Sequence, residues 1–259
     1  MKQIPNLFTL LNLFLGCIAI VFALQTQSYI VKVEDYYSSN FSFSIPENLS
    51  TAGLLIFGAA IVDFLDGFVA RLFKASSEMG KQLDSLADVI SFGAAPGVIL
   101  YQLLRISFIQ QDYALNVSIV WLLPAFIVSC AAAYRLAKFN LDESQKYSFK
   151  GVPTPAVGLF VASLPLILLF GGGKLDVSNL LINRWVLYAI ILITSWLMIS
   201  NLPVMAFKFK NFSVKNSLPQ IILLAIGLIA AVLLHWLAVP VIFIAYIILS
   251  LLFKNKTTP

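Results

Sequence analysis

Charge is scarce in this sequence. Asp, Glu, Lys and Arg make up 11% of the 259 residues, against 60% hydrophobic. A soluble domain of this length needs more polar surface to stay dispersed. There is one histidine, His235, which excludes a histidine-based metal site or a histidine-centred triad. The two cysteines, Cys17 and Cys130, fall in separate apolar runs with no ligand-spaced neighbours, and read as small core residues. No repeat or heptad organises the chain. Gly171-Gly172-Gly173 follows no strand-like run, so it reads as a flexible turn and not as a phosphate cradle.

What the sequence does have is a succession of apolar runs close to the ~20 residues a helix needs to cross a hydrocarbon core. They lie near 5–24, 52–73, 85–107, 118–139, 155–170, 185–207, 220–236 and 239–253. The first is longer than a signal-peptide core and carries Pro5, Asn6, Thr9 and Asn12, so a retained span is expected. The last two runs together would make one helix of about 51 Å, too long for one crossing, which places a turn near His235–Pro240. The expected fold is therefore an all-α, polytopic transmembrane bundle of about eight spans.

The basic residues test this topology. With the N-terminus inside, 13 of the 17 Lys and Arg residues fall in inner segments and 4 in outer ones, as membrane insertion favours. The net charge of +5 is thereby a matter of topology, and nucleic acid is not expected as a partner. Lys138, Lys146 and Lys150 read as surface charges attracting anionic membrane lipid. The longest outer connection, 25–50, holds two Asn-x-Ser patterns, Asn40-Phe41-Ser42 and Asn48-Leu49-Ser50, to which no function is assigned.

Four of the twelve acidic residues crowd into 26 positions: Asp63, Asp66, Asp84 and Asp88. Ionisable groups at membrane depth are costly and mark functional sites. The i,i+3 and i,i+4 spacings put each pair on one helix face. The connection from Leu72 to Leu83 is short, so the two helices are expected as antiparallel neighbours with their carboxylates converging. Four carboxylates in one pocket repel unless neutralised, and two divalent cations balance them. An oxygen-only ligand set suits Mg²⁺ or Mn²⁺. Gly67, Ala70 and Gly80 leave room beside the helix backbones, and Arg71 can grip a phosphate. Two other readings stay open: ion pairing of the acids with Arg71, Lys74 and Lys81, and a divalent-metal transporter whose path they line.

Written out, the segment runs Asp63-Phe-Leu-Asp66-Gly67-Phe-Val-Ala70-Arg71, eight residues, then Gly80-Lys-Gln-Leu-Asp84-Ser-Leu-Ala-Asp88. This resembles the signature of the CDP-alcohol phosphatidyltransferase family at all eight of its defining positions. Further segments are similar to the bacterial phosphatidylserine synthase branch of that family: Ile4–Asn12, Ser91–Pro96, Tyr134–Asn140 and Gly151–Pro155.

The resemblance implies a six-helix core over 1–207, with 208–259 adding a helical hairpin and a basic tail. It implies that Asp63, Asp66, Asp84 and Asp88 hold two Mg²⁺ or Mn²⁺ ions, Asp88 also acting as general base. Asn6, Thr9, Gly67, Ala70, Arg71, Ser77 and Gly80 would contact CDP-diacylglycerol. The acceptor would be L-serine, giving phosphatidylserine and CMP, with Ser91, Arg135 and Asn140 near it. Glycerol 3-phosphate or inositol (phosphate) are alternative acceptors for the same chemistry. A homodimer in a bacterial-type inner membrane, its active site facing the cytoplasm, completes the expectation.

Overall fold

The computed structural model describes residues 4–25, 47–73, 77–112, 117–141, 149–171, 177–205 and 218–253. Eight apolar helices follow one another among them. They are α1 (Ile4–Leu24), α2 (Glu47–Leu72), a long helix built of α3 (Glu78–Asp88) and α4 (Ala95–Asp112), α5 (Ile127–Leu141), α6 (Thr154–Phe170), α8 (Arg184–Ile199), α9 (Leu218–Leu234) and α10 (Ala238–Leu252). The single turn α7 (Ser178–Leu181) leads into α8. The chain is an all-α polytopic membrane bundle. Five helical stretches are long and apolar enough to cross a membrane, and α6 and α8 are shorter apolar helices of 17 and 16 residues.

The fifth long stretch, Leu218–Leu252, does not run straight. His235 has φ 51, and a short 3₁₀ turn (His235–Leu237) reverses the chain so that α9 and α10 pack on each other. Histidine tolerates this left-handed region better than branched residues do. The turn expected near His235–Pro240 is present.

Other boundaries differ from the expectation for local reasons. The third helix starts at Glu78, before the apolar run does, because Ser77 caps it: its hydroxyl accepts the Gly80 N–H at 3.0 Å. The helix expected to reach residue 207 ends at Ile199, ahead of Pro203, which can neither donate to a helix nor let its predecessor adopt one easily. Pro203–Val204 instead forms a strand, β2, pairing antiparallel with β1 (Phe149–Lys150). In the long polar connection, residues 26–46 and Asn40-Phe41-Ser42 lie outside the described residues. Asn48-Leu49-Ser50 is not loop but the first turn of α2, where the buried Ser50 hydroxyl donates to the Pro165 carbonyl at 3.0 Å. Both cysteines are exposed on the outside of the bundle and are not core residues.

The third long helix is the centre of the bundle, with 72% of its apolar window buried, against 17–39% in the other long stretches. Between α3 and α4 it widens into a π-helical segment, Val89–Ala94, where the Ala95 N–H bonds back to the Ile90 carbonyl. Pro96 explains the widening. A proline ring collides with the carbonyl four residues before it and offers no N–H, and one wide turn absorbs both defects. Small residues let three helices close on this segment. A Cβ on Gly16 of α1 would meet the Ser91 side chain and its Cα at 2.8 Å. A Cβ on Gly158 of α6 would meet Phe92 at 3.0 Å, and one on Gly93 would meet Ala132 of α5 at 3.0 Å. The Gly93 carbonyl is satisfied by the Ser129 hydroxyl at 2.9 Å.

Candidate active site

Carboxylates at this depth need partners, and the fold supplies them from α1. The aspartates of α2 and α3 do converge: one oxygen each of Asp63, Asp66 and Asp84 lies within 4.8 Å of the others. The second helix meets the long third helix as neighbours at its π segment and α4, while α1 packs along α2 and against α3. This packing leaves a space that four carboxylates and their counter-ions require.

Two side chains of α1 reach into that space. Thr9, buried, donates from Oγ1 to Asp66 Oδ2 at 2.8 Å. Asn12, fully buried, directs Nδ2 at Asp88 Oδ1 at 3.4 Å, and its own Oδ1 has no partner. Asp88 is also within hydrogen-bonding reach of Asp63, so the fourth carboxylate adjoins the other three. Two carboxylates this close require a proton or a cation between them.

Beside the cluster opens a cavity of about 220 Å³, lined by Pro5, Asn6, Thr9, Asp66, Gly67, Ala70, Ser77, Gly80, Lys81 and Asp84. Six of the seven residues expected around the nucleotide lie on this one wall; Arg71 is exposed and does not line it. A Cβ on Gly67 would meet nothing within 4 Å, so this glycine leaves free space toward a ligand. Gly80 is small for a different reason: a Cβ there would press on Asn6 Oδ1 at 3.0 Å and Ser77 Oγ at 3.1 Å.

The donor set fits hard divalent cations. It is made of carboxylate oxygens only, it holds four formal negative charges, and among the described residues no lysine or arginine forms an ion pair with it. The alternative of ion pairing therefore finds no support from Arg71 or Lys81; Lys74 lies outside the described residues.

The three residues expected near the acceptor are dispersed around Asp88. Ser91 is fully buried, and its hydroxyl donates to the Asn12 carbonyl at 3.0 Å, which ties the π segment to α1. Asn140 donates to Ser85 Oγ at 2.8 Å, linking the end of α5 to α3. Arg135 is 8% exposed, far from the snorkelling position open to an arginine at a helix end. One guanidinium nitrogen donates to Thr154 Oγ1 at 2.9 Å, its Nε has no partner, and the group lies within electrostatic range of Asp88. A buried guanidinium left with an unused donor is costly unless a ligand meets it.

Pro5, Asn12, Lys81 and Thr154 were not singled out as site residues by sequence reasoning. Pro5, Asn12 and Thr154 carried a signal, since all three fall inside the branch-like segments quoted above. Lys81 carried none beyond its place between Gly80 and Asp84.

Comparison with known proteins gives a consistent picture. A sequence profile described as CDP-alcohol phosphatidyltransferase matches residues 2–207. Relatives named CDP-diacylglycerol–serine O-phosphatidyltransferase are 34% identical in Helicobacter pylori over 63% of this chain, and 31% identical in Mycobacterium leprae over 95% of it. One of the same name in Bacillus subtilis is 32% identical over 53% of this chain. The matched regions span 57% of the Helicobacter protein's own length, 73% of the Mycobacterium protein's and 74% of the Bacillus protein's.

Proposed function

The chain belongs to the CDP-alcohol phosphatidyltransferase family, and on that footing we propose that it transfers the phosphatidyl group of CDP-diacylglycerol to L-serine, giving phosphatidylserine and CMP. The observation that carries the reading is the meeting of the signature carboxylates with a cavity walled by the signature glycines and α1.

In this reading the cytidine diphosphate head occupies the 220 Å³ cavity, with Asn6, Thr9, Gly67, Ala70, Ser77 and Gly80 around it. Arg71 reaches the diphosphate from the rim, and the two acyl tails lie in the bilayer. Asp63, Asp66, Asp84 and Asp88 hold two Mg²⁺ or Mn²⁺ ions. When bound, such ions supply charge stabilisation for the diphosphate and for departing CMP.

The chain's own residues do the rest. Asp88 takes the proton of the serine hydroxyl while its oxygen forms the new bond to the lipid-linked phosphorus. The bond from that phosphorus to the CMP oxygen breaks, and no covalent enzyme intermediate is required. Asn12 orients Asp88 from α1. Arg135 offers its unused Nε–H to the serine carboxylate, and Asn140 and Ser91 shape the neighbourhood. Burial of Asp88, Asn12, Ser91 and Arg135 excludes water, the competing acceptor.

The wider proposal retains a homodimer in a bacterial-type inner membrane with the site opening to the cytoplasm. It also retains a catalytic unit over 1–207 with 208–259 appended.

The test is a reconstitution. Purified protein in detergent receives CDP-diacylglycerol and Mn²⁺ or Mg²⁺, with L-serine, glycerol 3-phosphate, inositol or inositol phosphate in parallel. Serine-dependent release of CMP with an aminophospholipid product is the expected result. Release with another acceptor only would keep the reaction and overturn serine. No CMP release, with metal flux into proteoliposomes, would overturn the enzyme for a transporter.

A further inference from the structure

A buried guanidinium beside the reacting carboxylate is useful only if it is held still. α5 supplies Arg135 but no bond to its head group; Thr154 on α6 does. What fixes Thr154 is therefore what fixes Arg135.

Thr154 opens α6 just after the turn Gly151–Pro153, and this turn is bonded on its far side. Gly151 N–H donates to the Leu202 carbonyl at 2.8 Å, and Val152 N–H to Leu197 at 3.1 Å. Gly151 has φ 77, and a Cβ there would strike the Met198 carbonyl and the Ser200 carbonyl at 2.8 Å, so the turn sits directly on this backbone. Leu202 leads into β2, which is paired with β1 and continues to Met205.

The Met205 segment is pinned in turn by α10. The buried Tyr246 hydroxyl donates to the Met205 carbonyl at 3.2 Å, and the Met205 N–H donates to Ser250 Oγ at 3.1 Å. A second tie runs directly to α6, where Phe243 stacks on Phe160 with ring centroids 4.7 Å apart. The Tyr246 hydroxyl also lies within electrostatic range of Arg135 itself. Two-residue strands are too short to stand alone, so β1 and β2 need this external support. All of α10 lies beyond residue 207, where the family match ends.

We infer that α10 belongs to the acceptor side of the site, with Tyr246 a positioning residue that acts on Arg135 through the Met205 segment and the Gly151–Thr154 turn. Within the hairpin, α9 carries most of the exposed apolar surface, while α10 carries the polar anchors. The inference rests on the reading of Arg135 as facing the acceptor.

The test uses the full chain and steady-state kinetics with the acceptor and CDP-diacylglycerol varied separately. Tyr246→Phe keeps the ring and removes one hydrogen bond. It is expected to raise the acceptor KM about fivefold while donor KM stays within about twofold. Ser250→Ala, which frees the other end of the same segment, is expected to act alike. In an Arg135→Lys background Tyr246→Phe should add nothing to the acceptor KM, because a residue acting through Arg135 has nothing left to position.

An acceptor KM untouched by Tyr246→Phe and Ser250→Ala but raised by Arg135→Lys would overturn the inference and leave Arg135 in its role. An acceptor KM untouched by Arg135→Lys would overturn both. Equal losses in donor KM, acceptor KM and thermal stability would overturn the inference in favour of a merely structural anchor.

Discussion

Thr9 Oγ1 donates a 2.8 Å hydrogen bond to Asp66 Oδ2, so the first helix of the chain orients a carboxylate 57 positions away. A carboxylate held this way presents a fixed oxygen to a cation, and loss of such an outer partner weakens metal binding by about 10–100-fold. Thr9→Val keeps the shape and removes the donor. It should raise the Mg²⁺ or Mn²⁺ concentration giving half-maximal activity by about tenfold, and Thr9→Ser should restore it. A metal titration of CMP release measures both. Complete chelation should abolish turnover in the native chain, and added Mg²⁺ or Mn²⁺ should restore it.

Asp88 adjoins Asn12, Asp63 and the field of Arg135. Asp88→Asn preserves volume but removes the proton acceptor, so kcat should fall by about 10²–10⁴-fold, the usual span of general-base contributions. CDP-diacylglycerol binding, followed by its protection of the protein against thermal unfolding, should survive. Near-native turnover in this variant would remove Asp88 from its role.

Two glycines separate site from scaffold. A Cβ on Gly67 meets open space, whereas one on Gly16 runs into Ser91. Gly67→Ala should leave stability unchanged and raise the CDP-diacylglycerol KM. Gly16→Ala should destabilise the fold by about 1–3 kcal/mol, the range for overpacking a close contact. Thermal unfolding in detergent together with donor KM distinguishes the two, and equal behaviour would mean that the cavity beside Gly67 is not the nucleotide site.

The proposed opening of the site toward the cytoplasm rests on the distribution of basic residues, and it is directly measurable. With Cys17 and Cys130 replaced by serine, a Lys81→Cys variant should react with an impermeant thiol reagent only from the cytoplasmic face of sealed vesicles. Lys81 is exposed at the mouth of the cavity, so the label reports the side on which the cavity opens. Labelling from the outer face alone would invert the topology.

The fold class was legible because membrane helices announce themselves through composition: a run of apolar residues of the right length has few alternatives. The aspartates were legible for the same reason, since each carboxylate stood out against an apolar background and its spacing fixed a helix face. The cut-off of α8 at Ile199 and the early start of α3 were less so. Both depend on single residues, Pro203 and Ser77, acting against the hydropathy around them. The cysteines were misplaced in the core because a membrane helix is apolar on its lipid side too, so composition does not tell inside from outside.

The sequence by itself thus determined the helices, their reversal near His235 and the identity of the four carboxylates. These are properties of local pattern and of the energetic cost of charge in an apolar run. Tertiary structure alone decided that α1 packs along α2 and against α3, bringing Thr9 and Asn12 to the aspartates. It also decided that Arg135 turns inward to Thr154, and that a helix from the far end of the chain braces the turn behind it. Contacts between residues tens to more than a hundred positions apart leave no periodicity in the sequence. They exist only once packing has chosen which small residues let which helices approach.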